Sequence, residues 1–531
     1  MITIREAIGR DVAAIRETFL ACYGTYYTDP RCYNELELTR LVYSDSSLVL
    51  VAEEDETGRI VGTASVDLEF GAYSDLVGEF GRLAVNPAFR RHGVAKRLLA
   101  ERLERVRDRL QVGLVEARLE PPYSLFNVEA HGFAVVGFLP MSWLLQRRES
   151  LGLLACYFGD ALGLRKNHPR VIPEVYPLCC LALENCALRP DAAVDEDAAA
   201  YPPGGSFDVQ ELTADGYAAL LRIERGRVHR REVFGPVRLH YGLFHLQARR
   251  SRYLIAREGG RITGAVGFTH DPLGESVRIF ELIALRDEVI RPMLSDLVDT
   301  CREQWGVGYL EVDVSAYEPR MQRTLVELGF LPVAYIPALV FHEVERLDVV
   351  KMVRLATCPN VPTDALTPRT KTMADLVLRQ FGSRDVLPRI AQAVQGLPLF
   401  GGLNAEQFNR LAGVCRLTSF EPGEAIFRQG EAGFDMHVVL QGQVAIAVAG
   451  SGAAVGDVRA GECLGEMSLL TAAAHSATAT ALTPVETAVL GHQDLAVLIR
   501  LRPDIGLHLY KNLAVGMGEK LKRVDASLIR R

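Results

Sequence analysis

The stretch from Gly81 to Leu99 carries the residue types of an anion cradle. Val85 ends an apolar run, Asn86-Pro87 turns the chain, and Arg90-Arg91-His92-Gly93-Val94-Ala95 leads into a periodic segment. Its apolar residues fall at Val94, Leu98, Leu99, Leu103, Val106 and Leu110, the spacing of one buried helix face. The first N–H groups of such a helix have no intrahelical partner, and its dipole favours negative charge there. Gly93 lets a ligand approach the backbone, and Arg90, Arg91 and Lys96 add positive charge. Two linked anionic groups would suit this turn. Glu79, in the run Val77-Gly78-Glu79-Phe80, lies on the strand that feeds it. A carboxylate there could take the proton from an alkylamine, whose pKa of about 10.4 keeps it charged at pH 7. A strand-edge carboxylate without chemistry is the competing reading.

The elements that must position these groups occur twice. Ile2-Thr3-Ile4-Arg5-Glu6-Ala7 precedes a helical pattern through Ala13-Ala14-Ile15, and Phe207-Asp208-Val209-Gln210-Glu211-Leu212 precedes one through Ala218-Ala219-Leu220. A hairpin follows in each: Leu48–Ala52 and Ile60–Ala64 around Glu56-Thr57-Gly58-Arg59, then Tyr253–Ala256 and Ile262–Ala265 around Glu258-Gly259-Gly260-Arg261. Both blocks close on Gly-Phe (Gly132-Phe133, Gly329-Phe330) and a strand through Leu139-Pro140 or Ile336-Pro337. An internal duplication is the expectation. The second copy has lost the cradle: Phe280 to Pro292 contains no glycine, and Asp287 and Glu288 put negative charge where an anion would sit.

With strand, Arg90–Ala95 loop, helix and Gly-Phe ending in this order, residues 2 to about 145 resemble the GNAT N-acetyltransferase superfamily. The resemblance implies that Leu83 and Val85 hold the pantetheine arm through their backbones, and that Arg90, Arg91, His92, Gly93, Val94 and Ala95 hold the pyrophosphate of acetyl-CoA. It implies Glu79 as the general base, because relatives that acetylate protein lysines carry a glutamate at matching spacing. A backbone N–H where the strand splays would stabilise the oxyanion. Such enzymes often protonate the leaving thiolate with a tyrosine four residues before the Gly-Phe. Val128 occupies that place here, and Tyr123 is the nearest substitute. Some acyl-chain synthases resemble this fold too, so acetyl is the default donor.

From Leu397 the pattern changes to short strands punctuated by Gly423, Gly430, Gly433, Gly442, Gly456, Gly461 and Gly465, as in an antiparallel jelly roll. Leu397-Pro398-Leu399-Phe400, Phe420-Glu421-Pro422-Gly423-Glu424 and Gly461–Leu470, leading to Ala474-His475-Ser476-Ala477-Thr478, resemble the cyclic-nucleotide-binding family over residues 396–515. Members that bind cAMP grip the ribose with Gly-Glu, matched by Gly465 and Glu466, beside Met467. An arginine pairs with the cyclic phosphate; His475 stands in its place, next to Ser476. A charge-assisted hydrogen bond contributes ~1.5–3 kcal/mol, so its loss predicts cAMP binding weaker by roughly 10–100-fold. A working pocket and an altered or empty one both remain open.

Linker compositions at Pro190 to Ser206 and Cys358 to Thr370 divide the 531 residues. The expected domains are 1–189 (acetyltransferase), 190–206 (linker), 207–356 (degenerate second copy), 357–395 (linker and helix) and 396–531 (nucleotide-binding-like, with a helical tail). The fold class is α/β (α+β), tandem domains with mixed central sheets plus a C-terminal antiparallel jelly roll. The net charge of −7 offers no footprint for nucleic acid or an anionic membrane. No apolar run approaches the ~20 residues of a membrane span, and no signal-peptide layout begins the chain. Ten scattered cysteines, without metal-ligand spacing, read as free thiols in a reducing compartment. The single helical tail from Asp504 leaves no room for a DNA-reading head.

These features predict a bacterial-type cytoplasmic N-acyltransferase without a metal, a candidate homodimer, using acetyl-CoA. Its acceptor would be a protein lysine or a small amine, with cAMP or another cyclic nucleotide as effector. The alternative is a non-catalytic CoA and cyclic-nucleotide sensor or scaffold.

Overall fold

A computed structural model describes residues 2–27, 29–68, 75–144, 148–204, 207–212, 232–234, 251–355, 366–394, 400–403, 407, 411, 415–448, 454–467, 473–501 and 503–529. The expected helix at Ala218–Leu220, the Leu397–Leu399 and Ser468–Leu470 motif residues and Cys358 lie outside them. The chain forms two compact units, Met1–Leu378 and Arg379–Arg531.

In the first unit, β1 (Ile2–Glu6), α1 (Val12–Tyr23) and α2 (Glu35–Val42) precede the hairpin of β2 (Ser47–Glu54) and β3 (Arg59–Asp67). β4 (Val77–Val85), α3 (Val94–Val106), β5 (Val112–Arg118), α4 (Tyr123–Ala130), β6 (Ala134–Leu144) and β7 (Arg148–Tyr157) complete the first repeat. The hairpin residues are buried along their length, with α1 and α3 both in contact with β3. That is why Leu48–Ala52 and Ile60–Val66 read as near-continuous apolar runs. β8 (Arg170–Val171), α5 (Tyr176–Asn185) and β9 (Ala193–Val194) connect to the second repeat. There β10 (Asp208–Glu211), β11 (Val233–Phe234), β12 (Ser251–Glu258), β13 (Arg261–Asp271), β14 (Ser276–Ala284), α6 (Ile290–Glu303), β15 (Tyr309–Ser315), α7 (Pro319–Glu327), β16 (Leu331–His342) and β17 (Glu345–Leu355) repeat the plan.

All but β8 and β9 join one 15-stranded sheet. Its order is β1-β2-β3-β4-β5-β7-β6-β16-β17-β15-β14-β13-β12-β10, with β11 beside β15. Read outward from β6 and β16, the two halves have the same order, which is the duplication written in topology. The seam is one antiparallel pairing, Gly137 opposite Ala334, with α5 packed over β6 and β16. The sequence suggested separate blocks; instead the repeats share a sheet, because only minimal side chains stand at the junction. The linker-like Pro190–Gly204 segment is anchored as well. Tyr201 is buried, its amide donates to Thr324 Oγ1 at 2.9 Å, and its hydroxyl donates to Glu232 Oε1 at 2.6 Å.

The second unit contains two four-stranded antiparallel sheets. One joins β18 (Cys415–Phe420), β25 (Val485–Gly491), β20 (Asp435–Gln441) and β23 (Cys463–Leu464). The other joins β19 (Ala425–Phe427), β24 (Thr478–Ala481), β21 (Gln443–Ala447) and β22 (Ala454–Arg459). Val439, Val444, Leu464, Ala479, Ala481 and Val485 fill the space between them. Two helices follow β25, at His492–Leu501 and Pro503–Ile529, and Ile505, Leu509 and Leu513 of the latter pack with Met436, Val438 and Leu490. This is the jelly-roll type expected.

Candidate functional site

The central geometry is a parting of two parallel strands. β4 and β5 pair only from Val77–Val112 to Glu79–Leu114, after which β4 continues along β3 alone. From Phe80 to Val85 the edge of β4 that faces β5 has no ladder partner among the described residues. A bulge opposite Ala64 marks the parting, and Arg82 there has φ +50°. A non-glycine residue in that region stores strain, which this structure offsets with an ionic clamp. Arg82 donates to Asp67 (2.8 and 2.9 Å), Asp29 (2.8 Å) and Ser65 (3.0 Å). From α1, Tyr23 donates to the Leu83 carbonyl and Cys22 to that of Val85, both at 3.2 Å. The Val85 carbonyl also accepts from Arg90 Nε at 3.4 Å, so one lone pair on the Leu83 carbonyl and the amides are left for a ligand.

Beyond β4 the chain makes the turn that the sequence marked. Arg91 (φ +65°) and Gly93 (φ +74°) flank His92, a left-handed alternation that turns successive amides inward as an anion nest. Among the described residues the amides of Arg91, His92, Gly93, Val94 and Ala95 have no partner, and the first intrahelical bond runs from Arg97 to the Gly93 carbonyl at 3.0 Å. Arg90 to Gly93 are exposed, whereas Val94 is buried and fixes the helix start. No atom stands within 4 Å of where a Gly93 Cβ would lie. The cradle is therefore open, and it fits a pyrophosphate.

Glu79 stands opposite Asp67 on β3. Burial is the largest cause that raises its pKa, and the Asp67 carboxylate adds to it against the pull of Arg82. Such a carboxyl group is readier to hold a proton than an ordinary glutamate. Tyr123 opens α4 and is 72% exposed, and among the described residues no hydrogen bond ties it to β4 or the nest. Val128 is buried in the core. Asn127, one residue earlier, approaches the helix start by donating to the Ala95 carbonyl at 3.5 Å.

Among the described residues the second repeat has no such cradle. Val289 and Ile290 are buried at its helix start, and the Asp287 carboxylate is paired with Arg320 at 2.8 Å.

In the second unit, Gly465 (φ +80°) is obligatory, since a Cβ would lie 2.7 Å from the Asp435 carbonyl oxygen. Glu466 follows it, and Met467 and Ser476 are exposed. His475 is buried and stacks on Phe427 with ring centroids 3.8 Å apart and planes 9° apart. Its amide donates to the Glu431 carbonyl and its carbonyl accepts from the Gly430 amide, both at 2.9 Å. Burial lowers its pKa, so the ring stays neutral at pH 7.

The Acetyltransferase (GNAT) family matches residues 12–138, and the Cyclic nucleotide-binding domain matches residues 417–501. The chain carries a GNAT domain and a cyclic nucleotide-binding domain. It is 30% identical over 138 residues to the Cyclic AMP receptor protein of Thermus thermophilus, covering 25% of this chain and 62% of that protein. It is 32% identical over 95 residues to the cAMP-dependent protein kinase regulatory subunit of Yarrowia lipolytica, covering 18% and 25%. Among solved structures, the acetyltransferase of GNAT family from Streptococcus pneumoniae is 17% identical, with a TM-score of 0.26 and coverage of 30% of this chain and 100% of that one. The chain thus spans less than two thirds of each curated relative.

Within the GNAT domain Leu83 and Val85 lie on the unladdered part of β4, Arg90–Ala95 follow in the turn into α3, and Glu79 stands at the parting of the strands. The sequence reading missed the Arg82 clamp, Glu116 on β5 and the Phe427 stack. Glu116 had a signal: it is the one charged residue in Val112-Gly113-Leu114-Val115-Glu116-Ala117. Among the described residues no helix is long and apolar enough to cross a membrane, and no cluster of His, Cys, Asp or Glu is spaced to hold a metal. The nine described cysteines are free thiols.

Proposed function

We propose that this protein is an acyl-CoA-dependent N-acyltransferase with acetyl-CoA as donor and an amine as acceptor, either a protein lysine or a small molecule. The observation that carries the reading is the row of amides from Arg91 to Ala95, unpartnered among the described residues, at the start of a 13-residue helix entered through the exposed turn Arg90–Gly93. These amides, with Arg90, Arg91 and Lys96, receive the pyrophosphate, while Leu83 and Val85 align the pantetheine arm along the free edge of β4. The bound thioester supplies an electrophilic carbonyl at the parting of the strands. Glu79 takes the proton from the acceptor's ammonium, and a backbone N–H at the Arg82 bulge receives the developing oxyanion. Tyr123 is the candidate acid for the departing thiolate.

The cyclic nucleotide-binding domain regulates the transfer, by a bound cyclic nucleotide such as cAMP or by contact. His475, neutral and stacked, favours a pocket that holds the cyclic phosphate without a cation. That same observation, with buried Val128 where a tyrosine would act, supports the second reading of a non-catalytic CoA sensor or scaffold.

Calorimetry with acetyl-CoA, followed by thiol release across a panel of peptides, polyamines and amino acids, separates the two. Binding with turnover establishes the enzyme. Binding without any acceptor turning over leaves the sensor, and absence of binding ends both.

A further inference from the structure

One row of side chains crosses the seam between the repeats. Glu116 on β5 stands opposite Leu153, Leu153 opposite Gly137, Gly137 opposite Ala334, Ala334 opposite Lys351, and Lys351 opposite Asp313. Residues opposite one another in neighbouring strands point to the same face of a sheet. Glu79 is opposite Leu114, two residues before Glu116, and Arg278 is opposite Glu311, two residues before Asp313. All six charged groups therefore share one face, and Leu153, Gly137 and Ala334 form the floor between Glu116 and Lys351.

The duplication makes the pairs meaningful. Gly62 faces Val85 and Gly264 faces Ala284, so six residues earlier Glu79 in one repeat corresponds to Arg278 in the other. By the same count Glu116 corresponds to Asp313. In the second repeat the positions are occupied by a closed ionic network: Arg278 lies 3.2 Å from Glu311 and 3.0 Å from Asp313, and Lys351 lies 2.7 Å from Asp313 and 3.6 Å from Glu311. In the first repeat no cation touches Glu79 or Glu116 among the described residues; burial and Asp67 push Glu79 up, while Arg82, held by Asp67 and Asp29, then Arg278 and Arg31 pull it down. Glu116 is exposed on this face, with the Glu79 and Glu311 carboxylates nearby and surrounding protein still crowding its carboxyl group. Burial, then Glu79 and Glu311, push it up to about 7, and Lys351 and Arg278 pull the other way.

We propose that Glu79 and Glu116 act as a carboxylate pair sharing one proton at the acceptor site, and that Arg278 and Lys351 of the second repeat are positioning residues that set the charge of this pair. The inference rests on the acyltransferase reading. The acceptor's ammonium gives one proton to the pair, its nitrogen lone pair forms the C–N bond, and the C–S bond breaks with its electrons going to sulfur. The second nitrogen proton leaves to solvent, and the thiolate takes one through Tyr123, the candidate acid, which solvent reprotonates. The cradle-less repeat then has a use: its cations Arg278 and Lys351 keep two like carboxyl groups able to exchange a proton near neutral pH.

The test uses the full chain with acetyl-CoA and two probe acceptors: butylamine, charged at pH 7, and hydroxylamine, already neutral there. Glu116→Gln is expected to lower transfer to butylamine by about a hundredfold, the usual contribution of a positioned base, and to lower transfer to hydroxylamine much less. Equal losses with both acceptors overturn the proposal, as does undiminished transfer to butylamine. In protein labelled at the glutamate carboxyl carbon, the resonance missing from Glu116→Gln should titrate near neutral pH. Arg278→Gln should move that midpoint and the acid limb of the pH–rate profile upward, and Arg278→Lys should restore both. A resonance titrating in the ordinary carboxylate range, or a midpoint indifferent to Arg278, also overturns it. Absence of transfer to either amine in the wild type, with acetyl-CoA still bound, is instead the failure of the acyltransferase reading.

Discussion

Gly137 and Ala334 face each other at the seam of the two repeats so closely that a Cβ added to Gly137 would lie 2.2 Å from the Ala334 Cβ and 2.9 Å from the Val333 carbonyl oxygen. The shared sheet depends on this gap. Gly137→Ala is expected to destabilise the first unit by about 1–3 kcal/mol, the usual penalty for overpacking a closed interior. Ala334→Gly alone should cost ~1 kcal/mol through backbone entropy. The double variant should recover part of the loss, because the two sites are in contact and their effects couple. Denaturant unfolding of the four proteins measures this. Strictly additive losses would mean that the contact does not govern the seam.

The open cradle makes a different prediction. Gly93 has φ +74° and empty space where its Cβ would project, so a side chain there meets backbone strain but no clash. Gly93→Glu should place a carboxylate among the free amides, where it competes with a pyrophosphate for the same donors. Acetyl-CoA binding should fall below calorimetric detection while the thermal midpoint moves little. Gly93→Ala should weaken binding far less. Unchanged affinity in Gly93→Glu would remove the nest from the function.

The nest was legible because its chemistry is local: one glycine, basic residues and a helical period within 20 residues of sequence. Glu79 was legible for the same reason, as a lone acid at a fixed distance from the loop. The inter-repeat face was not. Whether Glu116 and Lys351 share a face depends on register carried across five strands and two bulges, and a single slip reverses it. Arg278 was readable as a lone charge in Val277-Arg278-Ile279-Phe280, yet nothing in the sequence names Glu311 and Asp313 as its partners. The likeness of the two blocks was visible, but their union in one sheet hangs on a close approach between two small residues. In the second unit, the motif singles out His475, whereas its stacking on Phe427, 48 positions earlier, needed the fold.

His437 gives the second unit a defined acid limit. It is buried, its Nδ1 lies 3.2 Å from Thr487 Oγ1, and burial holds its pKa down to about 4. The unfolded chain binds this proton from about pH 6.5 downward, while the folded unit refuses it until about pH 4. Stability is therefore complete above pH 6.5 and lost as the pH falls through that window, by ~3 kcal/mol at most. Hydrogen exchange of Asp435–Gln441, corrected for intrinsic rates, should accelerate between pH 7 and pH 5. His437→Phe should remove most of the pH dependence. Protection independent of pH in the wild type would contradict the burial.

His475 decides how the second unit could meet a cyclic phosphate. Stacked on Phe427 and pinned by the Gly430 and Glu431 backbone, the ring is held neutral and offers at most one uncharged hydrogen bond. An arginine at this place would reach further, stay charged at every accessible pH, and present paired donors to phosphate oxygens. His475→Arg is expected to strengthen cAMP binding by roughly 10–100-fold, the worth of one charge-assisted bond. The gain should diminish in high salt and vanish when Glu466→Ala removes the expected ribose contact. Calorimetry with cAMP on wild type and variants measures it. Equal affinity in wild type and His475→Arg would mean that the pocket recognises something other than a cyclic phosphate, because a new cation beside the phosphate site could not leave its binding unchanged.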